Sequence, residues 1–189
     1  MQKRHRQIDG NSIAAYESGG SGADVLLIHG RSLDAQTFRH QLGGTFGDKH
    51  RVVAFDLPGH GDSSPAVNPQ EVYSAPGYAR IVAELVDRLD LSRPVVVGWS
   101  LGGGIALEAA DQLPGAAGFF IFGAPPLGSP PAMQDAFRNV DYIRTLKMPT
   151  LWRDEVQIIE GAGHAPHWER PERFNALLAD FVAGVTQRA

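Results

Sequence analysis

Ser100 stands in Gly98-Trp99-Ser100-Leu101-Gly102, directly after the apolar run Val95-Val96-Val97 and before Gly103-Gly104. A G-x-S-x-G pattern between a strand and a helix can set a serine nucleophile on a very tight turn. Such a turn demands a strained backbone at the serine, and flanking side chains would collide with the neighbouring strand and helix, which is why glycines surround it. It lifts the hydroxyl out of the sheet edge and aims the first helical amides at the same spot, where they stabilise negative charge. The bland alternative is a glycine-rich strand-to-helix turn with an incidental serine. A degenerate dinucleotide site is disfavoured, because G-x-G-x-x-G needs glycine at position 100.

Three other loops carry groups that could serve Ser100. Ile28 leads into His29-Gly30-Arg31-Ser32 at the end of an apolar strand, so the Arg31 amide can act as a second oxyanion donor beside that of Leu101. His29 reads as a turn residue satisfied by local hydrogen bonds, and the Arg31 side chain as an exposed arginine. After residues 51–55 comes Asp56-Leu57-Pro58-Gly59-His60-Gly61-Asp62, a run of turn formers in which Asp56 and His60 read as structural. Residues 156–159 end in Glu160-Gly161-Ala162-Gly163-His164-Ala165-Pro166-His167. His164 follows a predicted strand late in the chain, where a general base for Ser100 is expected. His167 is a rival base farther from the strand end, and His164 itself also reads as a plain surface-loop histidine. His164-x-x-His167 lacks matching carboxylates, so no metal is predicted, and no cofactor is implied.

The elements that must position these groups alternate in type. Two short strands, 6–8 and 13–17, flank Asp9-Gly10-Asn11 and predict an N-terminal hairpin. Strands are then expected at 25–28, 51–55, 95–97, 119–122 and 156–159. Helices are expected at 34–46, 76–89, 102–113, from 141, and at 171–185. The order predicts an α/β fold with a mostly parallel, doubly wound sheet flanked by helices, and one domain over residues 1–189. Ligands gather at the carboxyl ends of the strands of such sheets, where all the groups above fall.

Composition removes several classes. A net charge of −4 advertises no basic surface for nucleic acid, and the absence of cysteine removes thiol catalysis and disulfide frameworks. The basic residues Lys3-Arg4-His5-Arg6 run into Asp9-Gly10-Asn11 and not into an apolar stretch, so no signal peptide is predicted. The least polar window, 115–127, is too short and too rich in glycine and proline to span a bilayer. The expectation is a soluble, cytoplasmic protein with a small-molecule substrate and no membrane or nucleic-acid partner.

The strings LLIHGRS, DLPGHGDSS, GWSLGG and GAGHAPHWERPERF, in that order, resemble the α/β-hydrolase superfamily over about residues 8–125 and again from about 141 to the end. The resemblance implies that Ser100 is the nucleophile, His164 the base, and the Leu101 and Arg31 amides the oxyanion hole. Serine at position 100 speaks against the branches similar to haloalkane dehalogenases and epoxide hydrolases, which use aspartate there. The chain departs from the family pattern after Phe122. About thirty residues separate Pro126 from the predicted strand at 156, and no strand ending in Gly-x-x-Asp precedes Asp141-Tyr142-Ile143-Arg144. The expectation is a capless hydrolase without the usual triad aspartate, with Asp141 or, failing it, Asp135 as substitute acid; Asp141 reads equally well as a helix N-cap. If the strands at 119–122 and 156–159 pair, the sheet closes. If they do not, an exposed edge and an apolar groove favour a homodimer. The resulting expectation is a serine hydrolase for small carboxylic esters or lactones. The alternative is a catalytically impaired or truncated hydrolase scaffold that acts as a ligand-binding or interaction module.

Overall fold

The computed structural model describes residues 1–123 and 158–187. Strand β1 (Gln2–Ile8) pairs antiparallel with β2 (Asn11–Glu17) through a turn in which Asp9 and Gly10 both have positive φ, at 49° and 78°. Two consecutive positive values are what a two-residue hairpin turn of matching twist requires, and the Asp-Gly pair supplies them. The hairpin is longer than the sequence pattern suggested. The residues from Gln2 to Arg6 are polar because β1 is an outer strand, so they carry no apolar alternation to read.

Among the described residues, strands β3 (Asp24–Ile28), β4 (Arg51–Phe55), β5 (Val95–Trp99) and β6 (Gly118–Phe122) join the hairpin in a sheet of order β1-β2-β4-β3-β5-β6. The pairs β3–β4, β3–β5 and β5–β6 are parallel, whereas β2 meets β4 antiparallel. The central strands are continuous apolar runs because both faces are covered. Leu26, Ile28, Val53, Phe55 and Val96 enter one core with Ile81, Leu85 and Ile105. Their neighbours Val25, Leu27, Val52, Val95 and Val97 enter the other with Phe38, Phe174 and Leu178. Alternate residues thus face opposite helical layers.

The first layer contains α4 (Ala75–Arg88) and α5 (Leu101–Ala109), preceded by the short helix α3 (Pro69–Val72). The opposite layer contains α1 (Arg39–Leu42), α2 (Gly44–Lys49) and the C-terminal α7 (Pro171–Thr186), which follows α6 (Pro166–Glu169). One helix was expected over 34–46. It is instead a 3₁₀ turn at Ala35–Phe38, capped by the Asp34 carboxylate on the Gln36 amide at 2.8 Å, followed by α1 and α2. The break falls at Gly43-Gly44, where Gly44 adopts φ +64°. Its apolar residues satisfied a helical period, but the two glycines interrupt it.

The helix expected from residue 141 lies outside the described residues, as do Val156 and Gln157 and any cap inserted after β6. Ile158 and Ile159, the rest of the predicted strand 156–159, belong to no regular element. Among the described residues no helix is long and apolar enough to cross a membrane. The chain runs from β3 outward to β4 and then returns to the other side of β3 to form β5. That reversal leaves a crevice beyond the carboxyl ends of β3 and β5, where a doubly wound sheet offers its ligand site.

Candidate active site

Ser100 follows β5 at this crevice with φ +55° and ψ −113°, a conformation that costs an L-residue about 1–3 kcal/mol. Its amide donates to the Phe122 carbonyl at 3.0 Å, and its carbonyl accepts from Gly103 at 3.0 Å, so the strain is held from both sides. The glycines around it are needed for space. A Cβ at Gly98 would lie 2.3 Å from the Gly102 carbonyl oxygen, and one at Gly102 would lie 2.1 Å from that of Ile28. Strand β5, helix α5 and strand β3 therefore approach more closely than any side chain permits. Leu101 is the first residue of α5, and its N–H is among the amides that have no partner within the helix. That amide and the helix dipole favour negative charge beside the Ser100 hydroxyl.

The loop after β3 closes on the same point. A Cβ at Gly30 would lie 3.0 Å from the Trp99 ring and 3.3 Å from Ser100 Cβ, which brings the following residue, the exposed Arg31, to the serine turn. His29 is fully buried: its Nδ1–H donates to the Gly30 carbonyl at 2.7 Å, and its Nε2 accepts from the Leu57 amide at 3.0 Å. Burial pushes its pKa below 6.5. Neutral and fixed in one tautomer, His29 fastens the β3 loop to the β4 loop. Asp56 has the same sort of task. Its carboxylate accepts from the amides of Ala35 (2.7 Å) and Asp62 (2.8 Å) and from the Tyr16 hydroxyl (3.2 Å). His60 donates instead to the Pro58 carbonyl at 3.2 Å, so no Asp56–His60 hydrogen bond forms.

His164 is exposed, with its ring centroid 5.5 Å from that of Trp99. Its carbonyl accepts the Trp99 indole N–H at 2.8 Å, which ties the His164 loop to the residue immediately before Ser100. His167, the rival base, points the other way. It is fully buried, with Nε2 3.0 Å from Thr37 Oγ1 and its ring against Trp99, Phe122 and Phe174. Burial pushes its pKa down to about 4. A histidine enclosed in an aromatic core has no route to a substrate proton. Asp141 and Asp135 lie outside the described residues.

A cleft of about 380 Å³ opens beside Leu101 and is lined by Arg31, His60, Tyr73, Tyr78, Leu101 and Ile105. Its walls come from the loops after β3 and β4 and from the N-terminal ends of α4 and α5. Sequence reasoning missed Trp99, which lies against the loops after β3 and β6 and bonds to the His164 loop, and Glu169, whose carboxylate takes the amides on either side of His164. No pattern in the chain distinguishes Glu169 from any other exposed acid near a helix end.

The family model described as the α/β hydrolase fold matches residues 25–171, more than three quarters of the chain. The chain belongs to the α/β hydrolase fold family. The chain is 30% identical over 209 aligned positions to human ABHD14B, whose name describes it as a putative protein-lysine deacylase, covering 95% of this chain and 94% of that one. An uncharacterised protein of Mycobacterium bovis is 39% identical over 100 residues, which is 53% of this chain and 28% of the mycobacterial one. The chain therefore matches less than a third of that relative's length. Among solved structures, the N-acyl homoserine lactonase AidH in complex with N-butanoyl homoserine superposes with a TM-score of 0.89 at 28% identity, over 100% of this chain and 99% of that one. A protein of Thermoplasma acidophilum described as a predicted CIB-like hydrolase shares the fold, with a TM-score of 0.74 at 18% identity over 96% and 97% of the two chains.

Proposed function

We propose that this α/β hydrolase cleaves small carboxylic esters or lactones through an acyl-enzyme on Ser100. The single observation that carries the reading is the strained backbone of Ser100, φ +55°, held between glycines that leave no room for a Cβ. A strain of this size persists only where surrounding contacts impose it, and such positions cluster at functional sites. The likeness to a homoserine lactonase at a TM-score of 0.89 favours a cyclic or small ester as substrate.

In the proposed reaction the Ser100 oxygen attacks the substrate carbonyl carbon while the His164 imidazole takes the hydroxyl proton. The Leu101 and Arg31 amides hold the developing oxyanion. The tetrahedral species collapses, the carbon–oxygen bond to the leaving alcohol breaks, and the imidazolium returns its proton to that oxygen. Water then adds to the acyl-enzyme with His164 again as base, and the acid departs. For a lactone, alcohol and acid leave as one molecule. Asp141, or failing it Asp135, would hold the tautomer of His164. Without such an acid the rate would fall by about four orders of magnitude while the oxyanion hole sustained residual turnover.

A second reading rests on ABHD14B, a relative that matches nearly end to end. The same machinery would then cleave an acyl-lysine amide, with His164 protonating a departing amine. The proposal includes a cytoplasmic location and action without a cofactor under either reading. The test is hydrolysis of p-nitrophenyl acetate and butyrate, an N-acyl homoserine lactone and an acetyl-lysine peptide across pH 5 to 9. Parent protein, Ser100→Ala, Asp141→Asn and Asp135→Asn are compared. Ester or lactone turnover that disappears in Ser100→Ala and falls in one aspartate variant supports the proposal. Turnover confined to the peptide selects the second reading, and a parent no faster than Ser100→Ala selects an impaired scaffold that binds without cleaving.

A further inference from the structure

Among the described residues, three backbone contacts fasten the segment carrying His164. The Glu169 carboxylate accepts the Gly163 amide on Oε2 at 2.7 Å and the Ala165 amide on Oε1 at 3.0 Å, so its two oxygens bracket the histidine. The third point is the His164 carbonyl, which accepts the Trp99 indole N–H at 2.8 Å. Trp99 is the residue before Ser100, so this bond joins the two halves of the site one residue away from the nucleophile. The room for these contacts is specific. A Cβ at Gly123, where φ is +59°, would lie 2.9 Å from Trp99 Nε1 and 3.1 Å from the His164 carbonyl oxygen. A Cβ at Gly163 would lie 3.3 Å from Glu169 Oε1. The Trp99 ring itself is 5% exposed and packs against Phe122 and His167, so the indole cannot swing away.

We infer that Glu169 and Trp99 are positioning residues that fix the backbone on both sides of His164 and thereby set its imidazole relative to Ser100. The inference rests on the reading of His164 as the base. Hydrogen bonds from amides to an ionised carboxylate are among the stronger kind, and two of them on one planar group define an orientation as well as a distance. The Gly163 and Ala165 amides, in that order of importance, hold the Glu169 carboxyl below its ordinary value of 4.5. The clamp therefore stays charged through the whole range of an esterase assay. Neither residue touches substrate; both act through the histidine.

The test measures kcat and KM on p-nitrophenyl butyrate, with melting curves, for the parent, Ser100→Ala, His164→Ala, Glu169→Ala, Glu169→Gln, Trp99→Phe and the double variant of His164→Ala with Glu169→Ala. Glu169→Ala is expected to lower kcat about tenfold to a hundredfold, the scale of a misplacement near 1 Å, with KM within about twofold. Glu169→Gln keeps one acceptor and falls between; being isosteric, it carries the test if the alanine variant fails to fold. Trp99→Phe keeps the ring, loses the N–H, and lowers kcat in the same way. Adding Glu169→Ala to His164→Ala is expected to cost nothing more, because no base remains to be positioned. A further loss in that double variant would assign Glu169 a merely structural role and overturn the inference. So would parent-like kcat in both Glu169→Ala and Trp99→Phe while Ser100→Ala and His164→Ala are inactive. Parent-like activity in Ser100→Ala would instead remove the proposed function, and this inference with it.

Discussion

The two halves of the candidate site are built by different physics. Ser100 sits where β5, β3 and α5 converge, at backbone separations that only glycine permits, at the end of one buried strand and beside another. His164 sits on an exposed loop where, among the described residues, three hydrogen bonds and the face of one tryptophan hold the backbone around it. The nucleophile side is rigid because it cannot move without disturbing the core. The base side is placed by a few polar contacts that can be cut one at a time. Strain needs a surrounding structure that overrides it, whereas a base needs only to be aimed.

The largest expected effect on the comparison is chemical. Ser100→Ala should abolish p-nitrophenyl butyrate turnover, a fall of at least about a thousandfold. It should leave the melting temperature almost unchanged. Ser100→Gly should be equally inactive yet more stable by about 1 kcal/mol in chemical unfolding, since glycine adopts φ +55° freely. A less stable glycine variant would mean that the turn is not strained.

Next come the walls of that turn. Gly102→Ala would place a Cβ 2.1 Å from the Ile28 carbonyl oxygen, where only backbone can yield. The expected loss is about 3 kcal/mol or more, seen in urea unfolding, together with loss of activity. On the base side no single contact should approach that cost.

A third prediction concerns acid. Burial lowers the pKa values of His29, His50 and His167 in the folded state, that of His167 from 6.5 to about 4. Because the folded pKa is depressed, the unfolded chain binds more protons below pH 6.5. Stability is therefore complete above about pH 6.5 and is lost as pH falls toward about 4. His167 alone accounts for about 3 kcal/mol of that loss. Urea midpoints should be level from pH 7.5 to about 6.5 and fall from there to pH 4.5, and His167→Phe should flatten the slope of that fall. An unchanged slope in that variant would place the acid sensitivity elsewhere. The smallest effect belongs to the exposed Lys3–Asp62 pair at 2.6 Å, where Lys3→Ala should not move the melting temperature measurably.

Much of this was legible in the chain, and the reasons differ from element to element. Strands β3, β4 and β5 were visible because burial on both faces demands unbroken apolar runs. Helix α4 was visible because Ile81, Val82, Leu85 and Val86 repeat with the helical period. The helix expected at 34–46 failed because apolar spacing says nothing about a Gly-Gly break. His167 was weighed as a base because a histidine near a strand end looks the same in sequence whether it faces the crevice or the core. Its direction depends on Thr37, Phe122 and Phe174, which are remote from it or from one another in the chain.

The sequence by itself determined the family, the alternation of strands and helices, and the glycine-flanked serine, since each is a local pattern with a local physical cause. Only the tertiary structure decided the rest. It set Ser100 at φ +55°, turned His167 inward and His164 outward, and assigned Trp99 and Glu169 to the backbone around His164. Those facts depend on which distant segments meet at the carboxyl edge of the sheet. A strain, a burial or a hydrogen bond between loops exists only once the chain has closed around it.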